Sequence, residues 1–377
     1  MRTVLLGSAL DLPAADWQTF ATEGDPFVSR AFLGAAEASG AAGEDLAWRP
    51  MHLTLRDAAD NLTGLLPLYL RQHSFGDFSH DWNWAPAWRQ AGLNYYPKLV
   101  SGVPFTPSPG PRLLGRSDGA AVQAELIAAA QELATELQAS CWQCLFVREA
   151  DRAALEAAGL LLRRGVQFHW LNRGYRDFAD FLATFSADKR KKLKRERRAV
   201  AEAGLRIEVR HGDEVDDELW PAIHRHYRDT FLRHGNHPAF SLAFFQQVGK
   251  ALGRQMVLFI AWRNAQPVAS AICYRDGQRL YGRHWGTDIA CPGLHFELCY
   301  YTGVDYAIAH GLQRFEPGAQ GEHKLARGFE PVPTWSAFWI ADARMRELLA
   351  RHLAREAEAM QDYQAELTRH LPYKAQG

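Results

Sequence analysis

Apolar and polar positions in the first half of the chain predict a β-hairpin. Two apolar runs, 48–56 and 62–70, are separated by an Asp- and Asn-rich break at 57–61. Strand-like runs joined by Asp and Asn residues are typical of hairpins. The pattern then predicts a helix over 120–138, a strand over 141–147 and a short helix over 151–158.

The second half shows a longer series of strands and turns. Apolar segments over 256–262, 268–274 and 279–285 are joined by polar turns, and the second turn is Asp276-Gly277. An Asp-Gly pair between apolar runs strongly favours a tight hairpin, so we expect an antiparallel meander. The pattern then predicts a helix over 296–309, strands over 314–317 and 334–340, and a C-terminal helix over 343–369. Both halves mix helices with hairpin-forming strands, which indicates an α+β fold.

Length and composition indicate a globular protein of two domains. At 377 residues the chain exceeds the size at which one core usually stops growing. Its formal net charge is zero, which argues against DNA binding through bulk charge. The N-terminus lacks the apolar region of a secretory signal, and no apolar stretch approaches the ~20 residues needed to cross a bilayer. We expect a cytoplasmic protein with no membrane span.

The cysteines predict neither a disulfide framework nor a zinc site. Their number, five, is odd, and disulfide-rich scaffolds usually carry an even number. Cys141 and Cys144 have redox-motif spacing, but they lie in an apolar run that reads as a strand. A redox pair usually lies where a helix begins, because the helix end lowers the thiol pKa. We interpret both residues as strand residues.

The densest group of polar and aromatic residues lies between Leu280 and Pro333. Its members are Arg283, His284, His295, Glu297, Tyr301, Glu316, Gln320, Glu322, His323, Lys324 and Arg327. Loops between regular elements often carry binding and catalytic groups, because a rigid scaffold positions them. Glu316 follows a predicted strand, so we expect it at a strand end. Glu297 and Tyr301 are four apart on a predicted helix and therefore share a face. The chemistry is predicted to lie in this segment.

A strongly basic segment, 189–198, precedes the meander. It carries eight basic residues and one acidic residue. Such a run is either a solvated helix face, with Leu193 and then Ala199 or Val200 touching the core, or a contact for phosphates. Without a DNA-recognition motif, an anionic ligand tail such as a nucleotide diphosphate or a tRNA acceptor stem fits better than DNA. The candidate phosphate or tRNA contacts are Lys189, Arg190, Lys192 and Arg195.

Several segments resemble a known family. The stretch 186–205, a Lys/Arg-rich helix ending in Gly-Leu, resembles the helix that opens the second domain of FemAB-like acyltransferases. The strands over 257–285 are similar to the core of the GNAT (Gcn5-related N-acetyltransferase) fold. The segments 295–301 and 315–324 resemble the subfamily labelled peptidoglycan biosynthesis/recognition, and 324–329 resembles its Lys-x-Gly-Phe element with altered spacing.

The resemblance implies a tandem of two GNAT-like domains, each a mixed, mostly antiparallel sheet flanked by helices. We expect an N-terminal domain over 1–165, a C-terminal domain with the site over 166–342, and a packing helix over 343–377. It also implies an N-acyltransferase that moves an acyl or aminoacyl group onto an amine, for which a cell-wall precursor is one candidate. The donor is either aminoacyl-tRNA or acyl-CoA, with no bound cofactor. The stretch 286–294 departs from the Gly-rich loop that holds the pyrophosphate of CoA.

Forming an amide requires a neutral amine and groups that stabilise the oxyanion. The resemblance places Lys324 near the transferred acyl group. The candidate catalytic residues are Lys324, Glu316, Glu297 and His323, without a choice of base. The candidate substrate contacts are Arg283, His284, His295, Tyr301, Gln320, Glu322 and Arg327.

Two alternatives to an acyltransferase remain open. One is a non-catalytic recognition protein of the same fold. The other is a metal-dependent hydrolase, for which His295 with Glu297, Glu322 with His323, and a second cluster of His224, His226, His234 and His237 supply ligand types. No established zinc spacing is present, so we expect no metal.

Overall fold

The computed structural model describes residues 1–20, 24–116, 119–318 and 321–374. Its strands are β1 Arg2–Leu6, β2 Arg49–Pro50, β3 His52–Arg56, β4 Leu62–Leu66, β5 Tyr69–Arg71, β6 Lys98–Ser101, β7 Leu114–Gly115, β8 Cys141–Cys144, β9 Leu161–Leu171, β10 Arg206–His211, β11 Met256–Arg263, β12 Gln266–Arg275, β13 Arg279–Thr287, β14 Arg314–Glu316 and β15 Glu330–Ile340.

The helices are α1 Ala14–Trp17, α2 Arg30–Ala38, α3 Trp84–Gln90, α4 Gly119–Glu136, α5 Glu149–Ala157, α6 Phe178–Ala183, α7 Ala187–Glu202, α8 Trp220–Arg233, α9 Leu242–Leu252, α10 Leu294–Phe296, α11 Thr302–Ala309 and α12 Ala343–Arg369. A π-helical segment, Glu297–Tyr301, joins α10 to α11, and a 3-10 helix spans Glu322–Arg327. No helix in the described part of the chain is both long enough and apolar enough to span a bilayer.

The chain forms two compact units. The N-terminal unit is Met1–Gly165 with Pro333–Asp362, and the C-terminal unit is Val166–Val332 with Tyr363–Gly377. The domain bounds stated above remain a prediction.

In the N-terminal unit, the predicted hairpin is present as β3 and β4, which pair antiparallel. The apolar run 62–70 is not one strand, however, because it divides into β4 and β5 around Pro67. A proline cannot donate a backbone hydrogen bond to a ladder. β1, β3, β4 and β7 form one sheet. β5 pairs with β2 and β6, and β6 runs parallel to β8. Aliphatic side chains dominate the core, among them Leu53, Leu66, Leu99, Leu126, Ile127, Leu133 and Leu155.

In the C-terminal unit, the predicted meander of three strands is confirmed, because β11, β12 and β13 pair antiparallel in that order. A further strand that was not predicted, β10, pairs antiparallel with β11. The turn between β12 and β13 is held by Asp276, whose Oδ1 accepts from the backbone N–H groups of Gln278 and Arg279 at 2.7 and 2.6 Å. β13 then pairs parallel with β14, and β14 pairs antiparallel with β9. The core is rich in aromatic rings, including Phe168, Trp170, Phe181, Phe185, Phe259, Phe315 and Phe329.

The basic segment forms helix α7, as its Lys, Arg, Glu and Ala content favours. It ends before Gly204, whose φ of +69° suits a glycine at a helix C-terminus. Leu193 and Val200 are buried in the core of the C-terminal unit, whereas Ala199 is exposed. The helix is therefore anchored by a narrow apolar face.

The predicted helix over 296–309 is not a regular α-helix. Its first part is α10, its middle is the π-helical segment and its end is α11. A π-helical turn contains one extra residue and often occurs at functional sites. The irregularity decides which side chains of this segment meet.

Candidate functional site

The candidate site begins where two parallel strands separate. β13 and β14 pair only from Arg279 with Arg314 to Tyr281 with Glu316. β14 then ends, while β13 continues to Thr287. We call the opening beyond Tyr281 and Glu316 the strand split.

A β-bulge in β13 lies at this opening. Ile272 of β12 pairs with His284, but the next residue, Cys273, pairs with Gly282. Arg283 is therefore the extra residue of the bulged strand. Bulges are common beside active sites, where they redirect a side chain.

Gly282 and Pro317 lie close together at the start of the strand split. A Cβ atom on Gly282 would lie 3.2 Å from Pro317 Cα. A side chain at position 282 would push β13 away from the segment that follows β14. The glycine thus permits the close approach from which the strands diverge.

A cavity of about 80 Å³ lies at the strand split. Its lining residues are Ala271, Ile272, Cys273, Gly282, Arg283, His284, Trp285, His295, Cys299, Tyr300 and Pro317. They come from β12, β13, α10, the π-helical segment and the residue after β14. Regular elements therefore hold most of the lining, which favours fixed geometry over adaptable contacts.

Lys324 lies beside this cavity, on the 3-10 helix. Its side chain is 2% exposed, and its Nζ donates a hydrogen bond to Gly318 O at 2.7 Å. A Cβ atom on Gly318 would lie 3.8 Å from Gly282 O and 3.9 Å from Lys324 Nζ, which places the amine near the strand split. Among the described residues, Lys324 has no ion pair with a carboxylate. Burial, and then the charge of Arg283, lower the pKa of Lys324 to about 7.

Arg283 and Glu316 form the second charged element of the strand split. Both side chains are buried, and Arg283 Nη2 lies 4.0 Å from a Glu316 carboxylate oxygen. Glu316 is the last residue of β14, opposite Tyr281, so its predicted position at a strand end is confirmed. The two side chains provide a fixed cation and a fixed anion at the opening.

Three predicted histidines surround the cavity in different ways. His284 is enclosed by the rings of Tyr227, Phe240 and Phe245 at centroid distances of 4.8, 5.7 and 6.0 Å. Burial, and then Arg283, lower the pKa of His284 to about 3. It is therefore a neutral ring within an aromatic cluster at physiological pH.

His295 and His323 lie on the side of the cavity nearer to solvent. The His295 ring lies 4.7 Å from that of Trp285, and burial followed by His323 lowers its pKa to about 4. His323 is exposed, and its Nε2 forms a hydrogen bond of 2.8 Å with the hydroxyl of Tyr300. Burial, and then Lys324, lower the pKa of His323. Both imidazoles are neutral at physiological pH.

Glu297, Tyr301 and Arg327 form a separate group that faces α7. Arg197 pairs with Glu297 and Asp305, each at 2.8 Å, and Arg327 pairs with Glu196 at 3.1 Å. Tyr301 donates its hydroxyl hydrogen to Glu196. Glu297 and Tyr301 do contact the same helix, but neither lines the cavity beside Lys324. The structure separates Glu297 and Tyr301 from the other candidates, whereas Arg327 also donates a hydrogen bond to His323 O at 2.9 Å.

The remaining candidates in the segment take different positions. Glu322 is exposed and accepts a hydrogen bond from Tyr363 at 2.6 Å. That contact, followed by burial, raises the pKa of Tyr363 to about 12. Gln320 lies outside the described residues. The roles assigned to all these residues remain predictions.

Helix α7 exposes most of its cations. Lys189, Lys192 and Arg195 are exposed, whereas Arg190 is half-buried and donates to Phe185 O at 3.2 Å. The side opposite Leu193 and Val200 carries exposed Lys191, Lys194, Arg195 and Arg198. These four positions follow the i, i+3, i+4, i+7 spacing that places side chains in one stripe, and we call them the basic stripe. None of the four has an ion pair within the described part of the chain.

The start of α10 is closed by α7. A Cβ atom on Gly293, just before α10, would lie 3.2 Å from Glu196 O. α10 continues without a break into the π-helical segment and α11, so it is the close approach of α7 that disfavours a phosphate at this helix N-terminus. Gly293 belongs to the stretch 286–294, which departs from the Gly-rich loop that holds the pyrophosphate of CoA in the GNAT fold.

The histidines and acids of the described chain form no group of three that is suitable for a metal. His295 contacts Trp285, whereas Glu297 pairs with Arg197. In the second predicted cluster, His224 bonds Phe240 O at 3.2 Å and buried His226 bonds Ser270 and Asp288 at 3.0 and 3.2 Å. These contacts occupy the donor atoms separately rather than directing them at one point.

Sequence reasoning missed several groups of the site. They are Cys273, Gly282, Trp285, Cys299 and Tyr300, which line the cavity. Trp285 and Tyr300 lie within the segment singled out by its polar and aromatic residues, so the motif signal included them. The β-bulge, which brings Arg283 and Gly282 to the strand split, leaves no mark in a single sequence.

The overall architecture matches known structures at low sequence identity. FemX matches with a TM-score of 0.53 and 11% identity, over 93% of this chain and 100% of that one. The C-terminal domain of a putative lysylphosphatidylglycerol synthetase from Agrobacterium fabrum matches with a TM-score of 0.52 and 12% identity, over 92% and 97%. The structure of L-PGS from Bacillus licheniformis gives 0.50 and 14%, over 83% and 90%. No curated protein matches the chain by sequence.

These similarities concern the fold, and they confirm the predicted α+β tandem of two GNAT-like domains. The family assignment rests on a separate match, to the family model described as peptidoglycan biosynthesis/recognition. That match extends over residues 8–375, almost the whole chain, and the protein therefore belongs to the FemAB-like family.

Proposed function

We propose that this protein transfers an acyl or aminoacyl group from an activated donor to an amine, and that the transferred carbonyl lies at the strand split beside Lys324. The observation that carries the proposal is a buried lysine without a carboxylate partner among the described residues, next to a cavity that also contains Arg283. Family membership supports the same chemistry and favours a cell-wall precursor as the acceptor.

The proposed reaction replaces an ester bond by an amide bond. The amine nitrogen attacks the carbonyl carbon of the donor, the carbon–oxygen ester bond breaks, and the departing oxygen takes a proton. Negative charge develops on the carbonyl oxygen during the attack, and fixed cations or N–H donors stabilise it. An ammonium group has three N–H donors. Lys324 uses one on Gly318 O, which leaves two for the oxyanion.

The lowered pKa of Lys324 affects when this group is charged. With a pKa of about 7, Lys324 is partly protonated at neutral pH. An oxyanion beside it favours the charged form, because an opposite charge raises the pKa of an ammonium group. The protonated, positively charged fraction of Lys324 is therefore largest when the transition state forms.

Two features favour aminoacyl-tRNA over acyl-CoA as the donor. The basic stripe is exposed and, within the part of the chain that the structure describes, has no ion pairs, as suits binding of a phosphate backbone. The start of α10, where a CoA pyrophosphate would be expected, is closed by α7.

The test is a transfer assay with two donor classes. Purified protein is mixed with an aminoacylated tRNA pool or with acetyl- and longer acyl-CoA, together with a UDP-linked cell-wall precursor that carries a lysine or diaminopimelate amine. Mass spectrometry detects the new amide. We expect product from the tRNA pool, and a loss of about 100-fold or more in Lys324→Met. The matched control is Lys250→Met, because Lys250 is an exposed lysine of α9.

Each outcome of the assay has a defined meaning. Product from CoA esters alone would contradict the tRNA donor. Full activity in Lys324→Met would contradict the role of this lysine. Tight, salt-sensitive tRNA binding without product from any donor would favour the recognition protein of the same fold.

A further inference from the structure

Amide formation from an ester donor releases one proton to solvent. At neutral pH the acceptor is an ammonium ion, so it carries two protons that the amide product does not retain. One of them goes to the departing alcohol oxygen. The other must leave the site, whose cavity is small, about 80 Å³, and is open to solvent only in part. A group that connects the cavity with water would serve this step.

We propose that the hydroxyl of Tyr300 and the imidazole of His323 form a proton-release path from the cavity to solvent. This inference rests on the proposed function. It assigns the release of the proton to Tyr300 and His323. The path has one member at each end: Tyr300 lines the cavity and is 2% exposed, whereas His323 is exposed. Their side chains are joined by the hydrogen bond of 2.8 Å between Tyr300 Oη and His323 Nε2.

The local backbone holds His323 in this position. Gly321, at the N-terminus of the 3-10 helix, has a φ of +113°, and a Cβ atom there would lie 2.4 Å from His323 Cε1. Only glycine leaves room for the ring at that place. Tyr300 is fixed from the other side by Phe329, at a centroid distance of 5.4 Å. The geometry of the pair is therefore determined by its surroundings.

The charges around His323 favour release of a proton. Lys324 and Arg327 from its own helix lower its pKa, after burial. From α10, the neutral His295 ring lies 6.3 Å away and Phe296 lies 6.1 Å away. The nearest carboxylate along the chain, Glu322, accepts its hydrogen bond from Tyr363. With cations and neutral rings around it, an imidazolium at His323 is short-lived and gives its proton to water.

The step is balanced in protons and charge. Before the attack, the acceptor ammonium gives a proton to Tyr300 Oη while the original hydroxyl proton passes to His323 Nε2, which leaves the neutral amine that attacks the carbonyl carbon. His323, now an imidazolium, releases its Nδ1 proton to water. Exchange with water then restores the starting tautomer, in which Nε2 accepts from Tyr300. One proton has moved from the acceptor ammonium to solvent, and the proton that the adduct nitrogen later loses goes to the departing oxygen.

The first test separates this path from simple ring packing. Tyr300→Phe keeps the ring and removes the hydroxyl, so we expect a kcat reduced about 100-fold with a KM within threefold. His323→Ala should lose a similar factor, and added imidazole should restore activity, since the site of His323 is open to water. A kcat within twofold of wild type in both variants, or no effect of imidazole on His323→Ala, would overturn the path. If the wild type itself forms no amide with any donor, the proposed function fails instead.

The second test needs no turnover. Nitrogen-15 NMR of the histidine rings should show His323 of the full-length protein mainly as the Nδ1–H tautomer, with Nε2 as acceptor. Tyr300→Phe should shift it towards the mixture of tautomers typical of a free imidazole. An Nε2–H tautomer in the wild type would contradict the path, because Nε2 could then accept no proton from Tyr300.

Discussion

Two lysines of this protein are buried almost completely, yet their surroundings differ. Lys98, on β6 of the N-terminal unit, is 0% exposed. Its Nζ lies 2.9 Å from Asp77 and 2.5 Å from Asp81, and it donates to Ser74 at 2.7 Å. Lys324, in the C-terminal unit, is 2% exposed and bonds a backbone carbonyl at 2.7 Å. One ammonium group has two carboxylate partners, and the other has none among the described residues.

The difference appears in the pKa of each lysine. Burial alone lowers a lysine pKa because it disfavours the charged form. At Lys98, Asp77 and Asp81 outweigh burial, so its pKa is raised. At Lys324, burial is reinforced by Arg283, and its pKa falls to about 7. A buried lysine with carboxylate partners supports the structure, whereas one without them is available for chemistry.

The largest expected difference concerns stability. Lys98→Met leaves two buried carboxylates without their cation, and removing one partner from a buried ion pair typically costs about 3–5 kcal/mol. Lys324→Met removes a buried amine that has no carboxylate partner among the described residues and loses only its hydrogen bond to Gly318 O, so stability should change far less. Urea unfolding of both variants, followed by circular dichroism, measures the two free energies. An equal loss of unfolding free energy in both variants would show that the carboxylate partners of Lys98 do not make it more important for stability than Lys324.

The pH dependence of stability sharpens the comparison. The pKa of Lys324 is lower in the folded protein than in the unfolded chain, so the unfolded state binds more protons between about pH 7 and the lysine's usual value of about 10.4. The contribution of Lys324 to stability therefore rises with pH in this window, by at most ~1.4 kcal/mol per pH unit. The pKa of Lys98 is raised in the folded protein. Its contribution to stability is therefore lost only as the pH rises through that folded-state pKa.

Unfolding of the wild type and of Lys324→Met at pH 7, 8 and 9 tests this difference. We expect a smaller rise of stability with pH in the variant. Identical pH dependence would mean that Lys324 is not perturbed in the folded protein.

A smaller effect is expected at the group that faces α7. Glu297→Gln breaks one of the two ion pairs of Arg197, but Asp305 remains as a partner at 2.8 Å. Burial, partly offset by Arg197, raises the pKa of Glu297, so its charge is already disfavoured. We expect a loss of about 1–2 kcal/mol and amide formation within twofold of wild type. A 100-fold loss of activity with intact folding would restore Glu297 as a catalytic candidate.

The smallest effect on stability is expected at the basic stripe. Lys194→Glu and Arg198→Glu change exposed side chains without an ion pair among the described residues, so stability should change by less than about 0.5 kcal/mol. Binding of tRNA should weaken, and the slope of log affinity against log salt should fall by about 0.7–0.9 for each phosphate that the protein no longer neutralises. Lys250→Glu, on α9, is the matched control. An unchanged salt slope would show that the basic stripe does not contact the phosphates of the tRNA donor.

Local patterns in the sequence were sufficient for several regular elements, although β9, β10, α8 and α9 were not predicted. The alternating runs, the Asp276-Gly277 turn and the Lys/Arg-rich helix depend on interactions within a few residues, and they appear as β3 and β4, as the meander and as α7. The C-terminal helix over 343–369 also matches α12. The family motifs lie in the segment for which the candidate site is proposed.

The division of that segment was decided by tertiary structure. Glu297 and Lys324 are close in sequence and similar in polarity, yet one pairs with Arg197 and the other lies beside the cavity. A π-helical turn and the β-bulge at Arg283 determine this separation. Both irregularities arise from packing between distant parts of the chain, which a single sequence does not display.

The amino-acid sequence by itself determined the α+β class and the order of the elements that it predicted, and it indicated the region of the candidate site. Only the tertiary structure decided which buried charges have partners. Asp77 and Asp81 lie about twenty residues from Lys98, and Gly318 and Arg283 meet Lys324 from other elements. Burial and neighbouring charge set the pKa of a lysine, and both depend on long-range packing rather than on the residues beside it in the chain.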